Sequence, residues 1–105
     1  MPRAAASSDA FHAIAEANRR LLLDVLREGE QPVGGLVEAA GLSYPLVSQH
    51  LRVLLDAGVV ARRQQSRQRI YRLDAVPLRV VHDWTAEYEV FWQQRLVRLR
   101  RHLDA

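Results

Sequence analysis

Apolar residues recur at helical spacing in five stretches of this chain and alternate with polar ones in a sixth. From Ser8 or Asp9, either of which can cap, Phe11, Ile14 and Ala15 mark one face of a first helix running to about Ala17. Asn18 stands where it can cap a second helix through Leu22, Leu23, Val25 and Leu26, ending at Gly29. His12 and Glu16, four apart, read as a pair on the first helix. Pro32 at a first-turn position, then Val33, Leu36, Val37 and Ala40, predict a short third helix stopped by Gly41. Ser43 caps a fourth, Tyr44 to Ala57, with Gly58 at the position where helix ends favour glycine.

The fourth helix divides cleanly into two faces. At about 100° per residue, Val47, Leu51 and Leu54 fall within roughly 60° of one another and form a core stripe. Pro45, Ser48, Gln49, Arg52 and Asp56 lie nearly opposite. His50 borders the apolar stripe, so it is expected as a packed, hydrogen-bonded histidine.

Beyond Gly58, Val59 to Ala61 and then Arg69 to Leu73 carry β-branched and aromatic residues with partial alternation, which predicts a two-stranded hairpin with its tip near Ser66, Arg67 and Gln68. From Pro77 to about Leu103 the helical period returns without interruption, through Val81, Trp84, Tyr88, Phe91, Trp92, Leu96 and Leu99. Such a helix is about 27 residues and roughly 40 Å long, more than one small domain can cover. A second copy of the chain is the expected cover, with Phe11 of the first helix joining Val81, Trp84, Tyr88, Phe91, Trp92, Leu96 and Leu99 in the contact. The fold class is therefore mainly α with a two-stranded β-wing, in the order four helices, two strands, one helix, dimeric through the first and last helices. The 105 residues bound the chain to one domain. Residues 1–8 read as a flexible arm, and 9–105 as the domain, with 76–103 as its dimerisation helix.

Composition narrows the chemistry. The chain has no cysteine, which excludes disulfides, thiolate metal sites and a cysteine nucleophile together. All 15 basic residues are arginine, which supplies forked donors suited to phosphate and guanine. The net charge of +3 is unevenly spread. Residues 9–42 carry −3, whereas residues 43–73 set six arginines against Asp56 alone and carry +5. A basic middle third between neutral or acidic flanks is the footprint of an anion-binding surface. No catalytic constellation stands beside it. Ser48 and His50, two apart on a helix, point about 200° from each other, and there is no glycine-rich phosphate loop or zinc motif. No enzyme activity and no cofactor are expected. With no apolar run of about 18 residues and no secretory leader, the expected location is the cytoplasm, away from membranes.

Helices followed by a basic hairpin form the order of a winged helix-turn-helix. The stretch GLSYPLVSQHLRVLLDAGVV, Gly41 to Val60, resembles the turn, recognition helix and start of the wing in the ArsR/SmtB family of bacterial transcriptional repressors. ANRRLLLDVLREGE before it is similar to that family's second helix, and RQRIYRLD to its second wing strand. The tail, DWTAEYEVFWQQRLVRLRRHL, resembles the long last helix of a cysteine-free subgroup. The resemblance implies a homodimeric repressor that binds a palindromic double-stranded DNA operator, autoregulates, and answers to an unknown small-molecule effector. The alternative is a winged helix used for protein interaction or RNA binding. The metal-sensing motifs of the family do not match: His82, Asp83, Glu87, Glu89 and His102 lack the required spacing, so no metal site is expected.

On this reading Ser48 and Gln49 face bases, Gln49 with an amide that fits adenine, and Arg52 meets a phosphate or guanine. Tyr44 and Pro45 lie at the helix start, where backbone N–H groups favour phosphate, and Ser43 is first a cap and second a DNA contact. In the wing, Arg67, Gln68 and Arg69 at the tip are the candidate DNA contacts. Arg62, Arg63 and Arg72 are placed further back, where they serve to pair with acids.

Overall fold

A computed structural model describes residues 9–104 of the chain. The arm expected over 1–8, and Ser8 as a cap, lie outside the described residues. In chain order the elements are α1 (residues 9–14), α2 (Ala17–Arg27), β1 (Gln31–Pro32), α3 (Val33–Ala40), α4 (Tyr44–Asp56), β2 (Val60–Gln65), β3 (Gln68–Leu73), a 3-10 turn (Val76–Leu78), α5 (Arg79–Ala86) and α6 (Glu89–Asp104).

The first helix stops sooner than its apolar spacing suggests. The chain bends at residues 15 and 16, and Glu16, in an extended conformation, accepts a hydrogen bond from the Asn18 N–H at 2.6 Å. Glu16, not Asn18, is thus the cap of α2, and it forms no helical pair with His12. Two arginines make the early stop possible by satisfying the freed carbonyls of α1. Arg19 Nε donates to the Ala13 carbonyl at 2.8 Å and Arg20 to that of Ile14 at 2.7 Å.

α3 and α4 meet in a turn shaped by Gly41, whose φ of 69° is the left-handed conformation that ends a helix and that side-chain-bearing residues avoid. Ser43 then caps α4, its hydroxyl accepting from the Leu46 N–H at 3.3 Å. Leu22, Leu36, Val47, Leu51, Leu54 and Val59 are completely enclosed, so α2, α3, α4 and the first residues of the wing share one core.

The sheet has three strands where the alternation predicts two. Its order is β1-β3-β2, with Gln31 and Pro32 pairing antiparallel to Tyr71 and Ile70. Pro32, expected inside the first turn of α3, instead ends this edge strand and precedes the helix with no side-chain cap. An edge strand is where a residue lacking an N–H costs no ladder bond. β2 and β3 form the wing, joined through Ser66 and Arg67 with Gln65 opposite Gln68. Ser66 adopts φ of 55° at the first turn position, and the Gln64 side chain donates to its carbonyl at 3.1 Å.

The predicted single last helix is two. After α5, the Glu87 and Tyr88 N–H groups bond three residues back, to Trp84 at 3.3 Å and Thr85 at 2.9 Å, before α6 begins. One turn earlier the Thr85 hydroxyl donates to the His82 carbonyl at 3.0 Å, a back-bond of the kind that bends helices. α6 spans 16 residues, about 24 Å, and none of its residues is buried. No described helix is long and apolar enough to cross a membrane.

Leu54, enclosed between α4 and the rest of the core, is a sensitive probe of this packing. Leu54→Ala is expected to lower the unfolding free energy by about 2–5 kcal/mol at fixed protein concentration, read from urea denaturation. A loss under about 1 kcal/mol would show that the core closes around something other than this stripe.

Candidate nucleic-acid interface

The core stripe on α4 decides what its other side can do. With Val47, Leu51 and Leu54 turned inward, Tyr44, Pro45, Ser48, Gln49 and Arg52 are all exposed. They divide again by angle. Tyr44, Ser48 and Arg52 border the wing, and Pro45 and Gln49 lie further round the helix, with Ser43 exposed just before it.

Between α4 and the wing runs an open cleft of about 590 Å³. Tyr44, Ser48 and Arg52 line one wall, and Arg62, Gln64 and Arg69 the other, with Arg67 and Gln68 at the mouth by the wing tip. Four guanidinium groups, those of Arg52, Arg62, Arg67 and Arg69, therefore share one concavity whose lining includes no carboxylate. The first residues of α3, Val33 and Gly34, also line it, and place the N-terminal end of that helix dipole at the same cleft. Arg52 makes only a loose contact of 3.9 Å with Asp56, both side chains well exposed, so its charge is not spent. A cavity of this kind concentrates positive potential and fits a phosphodiester strand.

Tyr44, Ser48 and Arg52 from the helix, and Arg67, Gln68 and Arg69 from the wing, are thus brought together, whereas Ser43, Pro45 and Gln49 remain exposed outside the cleft. Arg62, assigned by sequence to the rear with acid partners, lies in the cleft wall. Strand geometry explains the difference. Side chains alternate across β2, so Arg62 and Gln64 face α4 together with Arg69 and Tyr71 of β3. Arg63, one residue on, faces away and forms a two-pronged ion pair with Glu30, at 2.8 and 3.3 Å. Arg72 is opposite Ala61 and shares the face of Arg63. The pairing expected of these three therefore holds for Arg63 alone. His50 is buried as expected, and its contacts involve a residue that sequence reasoning passed over, Arg19.

The remaining candidate surface is apolar. Phe11 meets Trp84 edge-on at 5.7 Å between centroids, Trp84 meets Tyr88 at 5.3 Å, and Tyr88 meets Phe91 at 6.4 Å. This row of rings continues into Trp92, Leu96 and Leu99 on α6, and all of them are exposed, Phe91 by 61% and Leu96 by 64%. Val81, at the start of the row, is half-buried within its own chain. His82 and Asp83 touch at 3.3 Å on the surface of α5, and no three potential ligands cluster among the described residues.

Residues 16–62 match the profile of the arsR family of bacterial regulatory proteins. An HTH-type transcriptional regulator of Mycobacterium tuberculosis is 32% identical over 91% of this chain and 87% of its own length. Among solved structures, the transcriptional repressor BigR from Xylella fastidiosa is 31% identical, with a TM-score of 0.64 over 86% of this chain and 90% of that one. A homodimeric winged helix-turn-helix DNA-binding domain from Mycobacterium bovis has the same fold, with a TM-score of 0.70 at 23% identity over 85% of each chain.

The two neighbouring arginines of β2 make a matched test. Arg62→Ala is expected to weaken binding to duplex DNA and to reduce the slope of log K against log salt by about two per dimer. Arg63→Ala is expected to leave both unchanged, measured by fluorescence anisotropy over a salt series; equal effects from the two would remove the division between the faces of the wing.

Proposed function

This chain belongs to the arsR family of bacterial regulatory proteins, and we propose that it is a homodimeric repressor that reads a two-fold symmetric operator in double-stranded DNA. The observation that carries this reading is the cleft between α4 and the wing, with four arginines and no acid in its lining. α4 lies in the major groove, where Ser48 and Gln49 meet base edges. The strand that borders that groove passes through the cleft and is held by Arg52, Arg62 and Arg69. Arg67 and Gln68, at the wing tip, reach the adjoining minor groove. Tyr44 contacts the backbone or a thymine methyl at the start of α4, beside Ser43 and Pro45.

Two copies join through the exposed aromatic row of α1, α5 and α6. So many large apolar side chains left in water, on a chain this small, are accounted for by a second copy with the same face. The homodimeric state of the Mycobacterium bovis relative supports this assembly. Pairing the copies spaces two α4 helices about 34 Å apart, one turn of duplex, so operator symmetry mirrors protein symmetry. Bound there, the dimer occludes a promoter, including its own. No step of this function makes or breaks a covalent bond, and the chain acts as a regulator, not an enzyme.

Two measurements check it. Fluorescent duplex carrying the chain's own upstream region is expected to bind more tightly than a scrambled duplex of equal length. With six or so phosphates neutralised per dimer, log K should fall with log salt at a slope of about −5. A slope near zero would defeat the DNA reading, and equal weak binding to both duplexes would defeat autoregulation. Separately, Leu96→Glu is expected to convert the dimer to a monomer in analytical ultracentrifugation and to weaken operator binding at least tenfold, about 1.4 kcal/mol; an unchanged sedimentation coefficient would exclude α6 from the interface.

A further inference from the structure

Arg19 and His50 meet in the interior, and neither is used by the DNA contacts described above. Arg19, on the first turn of α2, is only 8% exposed, and no carboxylate lies within 4.0 Å of its guanidinium among the described residues. Burying a guanidinium without a counter-charge is costly unless its N–H groups find strong acceptors. Here they are the last carbonyls of α1: Nε donates to Ala13 at 2.8 Å and one terminal nitrogen to His12 at 3.0 Å. These oxygens form the negative end of a helix dipole.

The other terminal nitrogen of Arg19 points to α4, 3.4 Å from His50 Nδ1. A guanidinium can only donate, so Nδ1 accepts and the ring proton sits on Nε2. That nitrogen is buried with no hydrogen-bond partner. A leucine in this place would remove the orphaned ring N–H but would leave that Arg19 nitrogen without its acceptor, so packing alone does not account for a histidine. What the ring supplies is a directed polar contact with Arg19.

We propose that the Arg19–His50 contact positions the DNA-reading helix, tying α4 to the end of α1 and fixing the roll at which Ser48, Gln49 and Arg52 are presented. The proposal rests on the DNA-reading role assigned to α4. His50 lies in the same turn as those three side chains. A roll of about 20° would move side-chain tips, about 5–6 Å from the helix axis, by about 2 Å. That displacement is enough to lose a hydrogen bond to a base edge. The other end of the link matters equally, because α1 also carries Phe11, whose ring is edge-on to Trp84 of α5. Through α1, the reading helix is thereby referenced to the aromatic face on which the second copy sits. Arg19 and His50 are positioning residues, and neither touches DNA.

The test uses the full chain and the duplex that the wild-type chain prefers when it selects from a random pool, with a scrambled duplex as control. His50→Leu fits the space and removes the acceptor. Its preference for the selected duplex is expected to fall about tenfold while the salt slope stays unchanged, since no phosphate contact is lost. His50→Asn retains an acceptor near the Nδ1 position and is expected to restore the preference to within about threefold of wild type, even where its melting temperature is as low as that of His50→Leu. Combining Arg19→Met with His50→Leu is expected to cost no more than the larger single loss, as members of one link should. Circular dichroism sets a temperature at which every variant is folded. Full preference retained by His50→Leu, a loss in His50→Asn as large as in His50→Leu, or a reduced salt slope in either would overturn the proposal. A wild-type chain that selects no duplex would instead overturn the DNA reading beneath it.

Discussion

Everything this chain does with an anion follows from the way α4 is seated. Val47, Leu51 and Leu54 are driven from water into the core shared with α2 and α3, each side chain contributing roughly 1.5–3 kcal/mol. With that stripe committed inward, the helix has no freedom over what it shows outward. Ser48, Gln49 and Arg52 face solvent because they stand across the helix from the three residues that cannot. The hydrophobic effect is non-directional, yet on a helix capped by Ser43 and ended near Gly58 it acts as an orienting force.

The wing adds a second periodicity to the first. A helix repeats every 3.6 residues and a strand every two, and the cleft is where these repeats meet. On β2 the alternation sends Arg62 towards α4 and Arg63 towards Glu30, so two identical neighbours acquire different electrostatic surroundings. One charge is neutralised at short range by a carboxylate and contributes little to the outer field. The other stays unpaired beside three more arginines. Placement, far more than the modest net charge of the chain, gives the basic segment its direction.

Much of this was legible in the residues. Strong local signals carried α2, α3 and α4: apolar spacing, a serine before the helix, glycines after it. The basic hairpin and the polar face of α4 followed from the same reading, and six of the nine candidate contacts meet in one cleft. What stayed hidden depended on tertiary contacts. A two-residue strand containing a proline has no period to detect, so β1 appears only when β3 is there to pair with it. The capping role of Glu16 requires knowing that the chain has already bent at residue 15. Arg62 and Arg63 cannot be told apart until the register of β2 against β3 is fixed. Arg19 was passed over because a charged side chain is assumed to seek water, and its burial makes sense only once the end of α1 is set beside it. The break at Glu87 and Tyr88 has no glycine or proline to announce it.

That break has a mechanical side. The apolar face runs across it, with Trp84 on one arm and Trp92, Leu96 and Leu99 on the other, and α6 extends about 24 Å beyond without support from its own chain. Its geometry is that of a lever with a two-residue fulcrum. A change of about 10° at the fulcrum swings the far end by about 4 Å, close to the roughly 3.4 Å step between stacked base pairs. In a pair of such chains, the stiffness of this one short turn sets the tolerance to which the whole assembly is machined.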